Sequence, residues 1–484
     1  MHALNPIFFE PVRRHMATEP LIVPADAACA TVVERMTAAG ASAVLVIDSE
    51  RRLVGIVTAR DVAERVAFKL KPDAAVQRAM TAPAQSIYPD ELLYRAVARA
   101  RRLGLRFLPV VDRARRVVGM FDLDAALARG LAREIDVIER IAGEDSVAGL
   151  AQVKAAQVQL ADTLLADGLP ATEVQTLFGE LNLDIHRRLV GLVLEAMAQD
   201  GWGEAPLAFN VILMGSIGRG ESLLFPDQDN GFIIDNYPDA DQARVDRFFV
   251  ELAERTTKTL AQIGYKLCRG NVMATNPAWR RTLSQWQRQV DQWIARCSNE
   301  DVLNADIAFD FRPACGPDPL SAALRQHIGA ALEKGRLFLR EMCLALMDQK
   351  VALKTFGGFE TEDTADGELM SLKLRGTMPL VGAVRLLALR AGVAETSTLA
   401  RIAGLKARGI LRDAEAEDAA AAYRYLSELL LRQQLADFKT GRQASGRVSM
   451  AGLSPAQRDQ LSVSLETVDS LQRRVREDLT GQVL

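Results

Sequence analysis

At 484 residues, 49% hydrophobic and 25% charged, the chain is globular rather than disordered or fibrous, and about three domains are expected of this length. A net charge of −3 leaves no basic excess to hold a nucleic-acid backbone, so long DNA or RNA is a disfavoured partner. The apolar runs are strand-length, the start lacks an export-signal pattern, and the five cysteines (29, 268, 297, 315, 343) are scattered without a CxxC pair; a cytoplasmic protein with no membrane contact, zinc site or disulfide frame is expected.

Shifted by 64 residues, the first 130 residues match themselves: Met16 falls on Met80, Gly40 on Gly104, Asp48 on Asp112, Arg52 on Arg116 and Gly55 on Gly119. Each unit carries an amphipathic helix ("CATVVERMTAAG", "ELLYRAVARARRLG") that stops at a glycine. A short strand follows ("SAVLVID", "RFLPVVD"), then a polar turn and a second strand ("LVGIVTARDV", "VVGMFDLDAA"). One unit is too small to bury a core alone, so two should pack together.

This pattern resembles the paired CBS domains, or Bateman module, over about residues 14–128, as βαββα repeats at about 14–68 and 78–128. The resemblance implies an adenosyl ligand, of AMP or ATP type, whose ribose is held by a hydroxyl residue and an aspartate. In "GIVTARD" these are Thr58 and Asp61. In the second repeat Asp122 and Ala125 take their places, so one working site at most is expected. Thr58 ahead of "ARDVAERV" also suits a helix N-cap, with or without a ligand.

From Leu131 to about Gly201 the apolar spacing is helical, broken at "ADGLPATEV", and predicts a helical connector over 131–201. "LAFNVILMGSIGRGESLLFPDQDNGFIID" follows: two buried-strand runs flanking Gly215, Ser216, Gly218 and Gly220, with Asp227 and Asp229 just before the second. Small residues there permit close approach to a phosphate. Asp227 and Asp229, two apart, share one face if extended, and their repulsion suits a shared divalent cation. Asp310 in "DIAFDFRPA" reads as the third acid, on a later strand with its side chain opposite Phe309 and Phe311. If it shares the face of the other two, three carboxylates converge as a two-metal site needs. An ordinary turn, with Asp310 paired to Arg312, is the competing reading.

A Gly-Ser turn, an Asp-x-Asp ten residues on and a later lone Asp resemble the DNA polymerase beta-type nucleotidyltransferases. Gln228 between the acids, with Asn230 after them, narrows the resemblance to the DUF294-type family, related to the uridylyltransferase of the PII protein. "CRGNVMATNPAWRRTLSQWQRQVDQWI", "LNADIAFDFRPACG" and "SLKLRGTMPLVGAVRLLALRAGV" also look like that family. The resemblance implies transfer of a nucleoside monophosphate from an NTP to an acceptor, a protein being one candidate, with pyrophosphate released. It implies two Mg²⁺ on Asp227, Asp229 and Asp310, with Asp310 helping deprotonate the acceptor. Gly215, Ser216 and Arg219 would hold the triphosphate.

Trp279, Trp286 and Trp293 recur every seven residues along one helix face, the mark of a buried seam more often than of a base-stacking surface. From about Leu320 onward the pattern is helical, and Lys373 and Arg375 are candidates to touch nucleotide or acceptor. Arg280 and Arg281 could face the triphosphate or water, and the four histidines (2, 15, 186, 327) read as structural or surface residues. The expected architecture is α/β plus all-α: tandem CBS repeats (14–128), helical connector (131–201), nucleotidyltransferase-like core (202–318) and C-terminal helical domain (319–484). A homodimer is expected. A non-catalytic nucleotide-sensing protein acting through a partner is the alternative function, and a DNA-binding regulator a distant third.

Overall fold

The computed structural model describes residues 11–127 and 146–481, apart from 68, 92, 167, 317, 355, 356, 365 and 366. His2 and the first stretch of the expected connector, 131–145, lie outside the described residues. The chain divides into two compact units, Met1–Glu144 and Asp145–Leu484.

The first unit repeats in conformation what it repeats in sequence. β1 (Ile22–Pro24), α1 (Cys29–Ala38), β2 (Ala43–Ile47) and β3 (Leu53–Thr58) form one half, closed by the short α2 (Ala59–Asp61). In the other half α3 (Leu93–Arg102), β4 (Phe107–Val111), β5 (Val117–Asp122) and α4 (Leu123–Leu127) follow the same order. Gly40 and Gly104 end the two helices at φ 59° and 61°, and Arg51 and Arg115 turn the two hairpins at φ 62°. The halves exchange edges: Ile56 pairs with Thr81 and Met120 with Ala17, pairings that the 64-residue shift carries into each other. At each crossing the glycine leaves room for a methionine, since a Cβ on Gly55 would lie 2.5 Å from the sulfur of Met80 and one on Gly119 2.6 Å from that of Met16. Ala43, Leu45, Leu53 and Ile56 of the first half share a buried cluster with Val111 of the second, in addition to the cluster of Val23, Val32, Met36, Val44, Val46, Val57 and Val76 on the other face of the first half's sheet.

The second unit opens with a helical hairpin, α5 (Val147–Ala166) and α6 (Ala171–Gln199). The mixed sheet follows: β6 (Phe209–Leu213), α7 (Gly215–Arg219), β7 (Asn230–Ile234), α8 (Gln242–Ile263), β8 (Arg280–Thr282), α9 (Leu283–Arg296), α10 (Asn299–Ala308) and β9 (Arg312–Cys315). Its strand order is β8-β7-β6-β9, with β6 central and antiparallel to both neighbours and β7 parallel to β8. The hairpin packs on α8 within this unit rather than standing apart from it. The rest is helical: α11 (Asp318–Lys334), α12 (Arg336–Met347), α13 (Met378–Arg390), α14 (Thr398–Ala407), α15 (Asp413–Lys439) and α16 (Pro455–Thr480), with a small antiparallel sheet of β10 (Glu362–Thr364), β11 (Gly367–Met370) and β12 (Val448–Ser449).

The three tryptophans are core. Trp279, Trp286 and Trp293 are all buried, their ring centroids 5.9–6.5 Å apart, and the Trp286 indole donates to the Phe232 carbonyl at 2.8 Å. Burying one indole removes about 150–250 Å² from water, roughly 4–6 kcal/mol at 25 cal per Å². Thr282 caps α9 in a capping box with Gln285, fixing where the seam begins. Arg280 bonds the carbonyls of Ala274 and Thr275, and Arg281 that of Ala278. Among the described residues no helix is long and apolar enough to cross a membrane.

Candidate functional site

Leu213, the last residue of β6, pairs with Asn230 on one side and Arg312 on the other. Three segments therefore meet at this end of the sheet: α7 leaving β6, the Asp227–Asp229 segment entering β7 and the Asp310 turn entering β9. Two glycines let α7 lie between the acids. Gly215 has φ 59°, and a Cβ there would stand 2.8 Å from Oδ2 of Asp229; a Cβ on Gly218 would stand 1.8 Å from the carbonyl oxygen of Asp310.

Alternation in "DQDN" separates chemistry from support. Gln228 is fully buried and donates to the carbonyls of Thr257 and Tyr265; Asn230, also buried, accepts from the Ala274 amide at 3.0 Å. Asp227 is exposed and Asp229 half-buried, and both line a cavity of about 720 Å³. A glutamine thus stands between the acids because it anchors the loop through backbone carbonyls, which a hydrophobic residue cannot do. Burial raises the Asp229 carboxyl, Asp227 raises it further, and a hydrogen bond from Cys268 with the charges of Lys373 and Arg219 works against them. The Cys268 thiol is itself pushed up to about 11 by burial and by Asp229.

The cavity brings together Gly215, Ser216, Arg219, Asp227, Asp229 and Lys373. Of the three expected acids, Asp310 stands outside it. It is not on a strand but in the turn after α10, fully buried, and it does not line the cavity. Three guanidinium groups hold its carboxylate: Arg401 at 2.6 Å, Arg385 at 2.9 Å and Arg219 at 3.2 Å. Burial pushes the Asp310 carboxyl up, and the three arginines outweigh it, holding the group well below the usual carboxylate range. Arg312, its expected partner on the competing reading, pairs with Glu180 at 2.7 Å. The convergence of three carboxylates is corrected accordingly: among the described residues no group of three or more His, Cys, Asp or Glu is arranged to hold a metal ion.

The arginine cluster reaches further than the sequence suggested. Arg219 also pairs with Glu221 at 2.8 Å, Glu221 accepts from the Thr398 amide, and Arg385 pairs with Asp306. Arg385 lines the cavity and was not among the sequence candidates. Its position in "GAVRLLALR", an arginine within an apolar helix, is the signal that could have found it. Lys373 is exposed on the cavity wall, whereas Arg375 pairs with Glu360 away from it. Leu303, Ile307, Leu344, Met378 and Val381 add an apolar flank from α10, α12 and α13.

In the first unit Thr58 and Asp61 engage each other. The Thr58 hydroxyl donates to Oδ2 of Asp61 at 2.7 Å, and each side chain caps the other's backbone amide at the start of α2. The second repeat differs as its sequence does. Asp122 is held in a two-point pair by Arg106, at 3.1 and 3.0 Å, where the first repeat has Ser42.

Three families match the chain. CBS domains match residues 12–67 and 76–129, "Putative nucleotidyltransferase DUF294" matches 155–300, and the nucleotidyltransferase substrate-binding domain DUF294_C matches 336–479. The DUF294 match takes in most of the α5–α6 hairpin with the sheet. Among solved structures, a CBS domain pair in complex with 5-methylthioadenosine and S-adenosyl-L-methionine is 20% identical, covering 25% of this chain and 95% of its own at a TM-score of 0.24. CBSX2 in complex with AMP is 20% identical, covering 25% and 96% at 0.23. A CBS domain protein of Thermoplasma acidophilum is 24% identical, covering 28% and 76% at 0.25. Likenesses of this degree say nothing of what this pair binds. A stretch of 77 residues is 35% identical to homoserine O-acetyltransferase of Methanococcoides burtonii, and the chain spans only 15% of that relative's length. The chain thus carries a CBS pair ahead of two DUF294 domains, the one described as a putative nucleotidyltransferase and the other as its substrate-binding domain.

Proposed function

We propose that the chain transfers a nucleoside monophosphate from an NTP to an acceptor hydroxyl in the 720 Å³ cavity, under control of an adenine nucleotide at Thr58 and Asp61. The observation that carries this reading is the meeting, in one cavity, of the Asp227–Asp229 pair with Arg219, Arg385 and Lys373 beside the Gly215–Ser216 turn. Two hard carboxylates next to phosphate-binding cations fit Mg²⁺ held jointly by protein and nucleotide. The fit is electrostatic as well: burial and Asp227 both disfavour the charged form of Asp229, a conflict a divalent cation removes. Asp227 and Asp229 would hold the metal, which would supply charge neutralisation at the phosphates.

The chain's own residues do the rest. Arg219, Arg385 and Lys373 bind the triphosphate, and Gly215 and Ser216 let it approach the backbone. The acceptor oxygen bonds to the α-phosphorus as the bond to pyrophosphate breaks. Asp310, held ionised by three arginines, is a poor base. With Asp229 committed to the cation, the hydroxyl proton leaves to solvent water as the new bond forms. The apolar flank of Leu303, Leu344 and Met378 leaves room for an acceptor beside the nucleotide.

A protein that binds nucleotide without transferring it is the second reading, favoured by the withdrawal of Asp310 from the cavity. The two are separated with each NTP labelled at its α-phosphate, Mg²⁺ or Mn²⁺, and lysate from the source cells, comparing wild type with Asp227→Ala/Asp229→Ala. Label on a discrete acceptor from wild type alone is expected. NTP binding by wild type with no transfer from any NTP, with or without AMP, would establish the second reading.

A further inference from the structure

We infer that Asp310 is a positioning residue for the triphosphate-binding arginines rather than a ligand for metal, an inference that rests on the nucleotide reading of the cavity. Both of its oxygens are committed: Oδ1 accepts from Arg401, and Oδ2 accepts from Arg219 and Arg385. Two of these three arginines line the cavity and Arg401 does not. The carboxylate therefore lies behind the phosphate-binding groups, on the side away from the ligand.

The arrangement supplies what a flexible arginine lacks. A guanidinium binds phosphate oxygens well only when its plane is fixed, and fixing it costs rotamer entropy. Arg219 is fixed by Asp310 and Glu221, and Arg385 by Asp310 and Asp306. Arg385 is only 5% exposed, and its Nε, itself buried, has no hydrogen-bond partner among the described residues. Charges balance within the group: Arg219, Arg385 and Arg401 face Asp310, Glu221 and Asp306. A cation inserted at Asp310 would have to displace guanidinium groups that already hold both of its oxygens.

The test separates phosphate binding from metal binding on the full chain. ATP, GTP, CTP and UTP are each titrated calorimetrically in EDTA, and Mn²⁺ binding is followed by electron paramagnetic resonance. Asp310→Asn is made in an Arg401→Gln background, which removes one charge of each sign, and is compared with Arg401→Gln alone. Metal-free NTP binding at least tenfold weaker than in Arg401→Gln, with Mn²⁺ affinity within twofold, is expected. Asp229→Asn should do the reverse, losing Mn²⁺ and keeping metal-free NTP binding. If the double variant does not fold, Asp310→Glu decides: it keeps the charge but moves it outward, and the same weakening is expected. Loss of Mn²⁺ with metal-free binding intact in the Asp310 variants would make Asp310 a metal ligand and overturn the inference. Unchanged binding of both would overturn it too. If the wild type binds no NTP either in EDTA or with Mg²⁺, the nucleotide reading falls, and this inference falls with it; NTP bound only with Mg²⁺ would overturn this inference alone.

Discussion

Lys154 carries a buried ammonium with no ion-pair partner among the described residues. Its Nζ bonds Gln157 at 2.7 Å, the Leu224 carbonyl at 3.0 Å and Asn182 at 3.4 Å, and it lies over the Tyr265 ring. Leu224 belongs to the segment that leads to Asp227, so one cation ties α5 to the carboxylate loop. Desolvation lowers its pKa from 10.5 to about 7. Above pH 10.5 neither the folded nor the unfolded chain protonates this amine, and below about 7 both do. Between those limits the unfolded chain binds a proton that the folded one does not, so this residue makes stability rise with pH, by up to about 1.4 kcal/mol per unit. Lys154→Met should flatten that dependence, read from urea midpoints at pH 7.5 and 9.5; an unchanged slope would show that the ammonium stays charged by other means. His186 acts in the same direction further down. Burial drops it from 6.5 to about 4, so stability falls as pH drops from 6.5 toward 4.

Helix α7 is the element whose placement decides the site, and Gly218 is its tightest contact. A methyl group there would lie 1.8 Å from the Asp310 carbonyl and 2.8 Å from that of Leu213, both backbone atoms that cannot swing away. Gly218→Ala should therefore cost about 3 kcal/mol of stability, at the upper end for overpacking. It should also weaken NTP binding, since Arg219 is the next residue; a stable variant with wild-type affinity would show that α7 can shift freely. The elements themselves were largely legible. The 64-residue repeat reappears in paired φ values and exchanged strand edges, and the strand–Gly-Ser–strand run in β6, α7 and β7. "DIAFDF" was misread because its alternation of apolar and acidic residues imitates a strand. The better signal lay upstream, in "SNED": Ser298 and Asp301 form a capping box that starts α10, and the helix then runs to Ala308. No local pattern reveals that Arg385 and Arg401 reach back to Asp310 across 75 and 91 residues, since that pairing exists only once α13 and α14 have packed.

For the molecule as a whole, the question is whether adenine nucleotide at the CBS pair and NTP at the cavity sense each other. The two repeats are unequal. Thr58 and Asp61 form a hydroxyl–carboxylate pair, with Arg65 3.4 Å from the other Asp61 oxygen, while the residue at the Thr58 position, Asp122, is taken by Arg106 at two points and Ala125 offers no carboxylate. One adenine nucleotide per chain is thus expected by calorimetry with AMP, and Asp61→Ala should abolish it. Because that variant also loses the Asp61 half of the capping box while keeping the Thr58 cap, about 1 kcal/mol of stability should go with it. Ser42→Arg, which copies Arg106 into the first repeat, should block AMP by supplying a competing guanidinium while leaving the cap in place. If the pair regulates the transferase through binding, the coupling is one free energy shared by both sites. AMP that tightens or weakens NTP binding by some factor must find its own affinity changed by the same factor when NTP is bound. A fivefold effect corresponds to about 1 kcal/mol, well within calorimetric reach. Equal factors measured from both directions, and lost together in Ser42→Arg, would establish the pair as the control site. AMP binding that leaves NTP affinity and transfer rate untouched would make the pair a sensor read by another molecule.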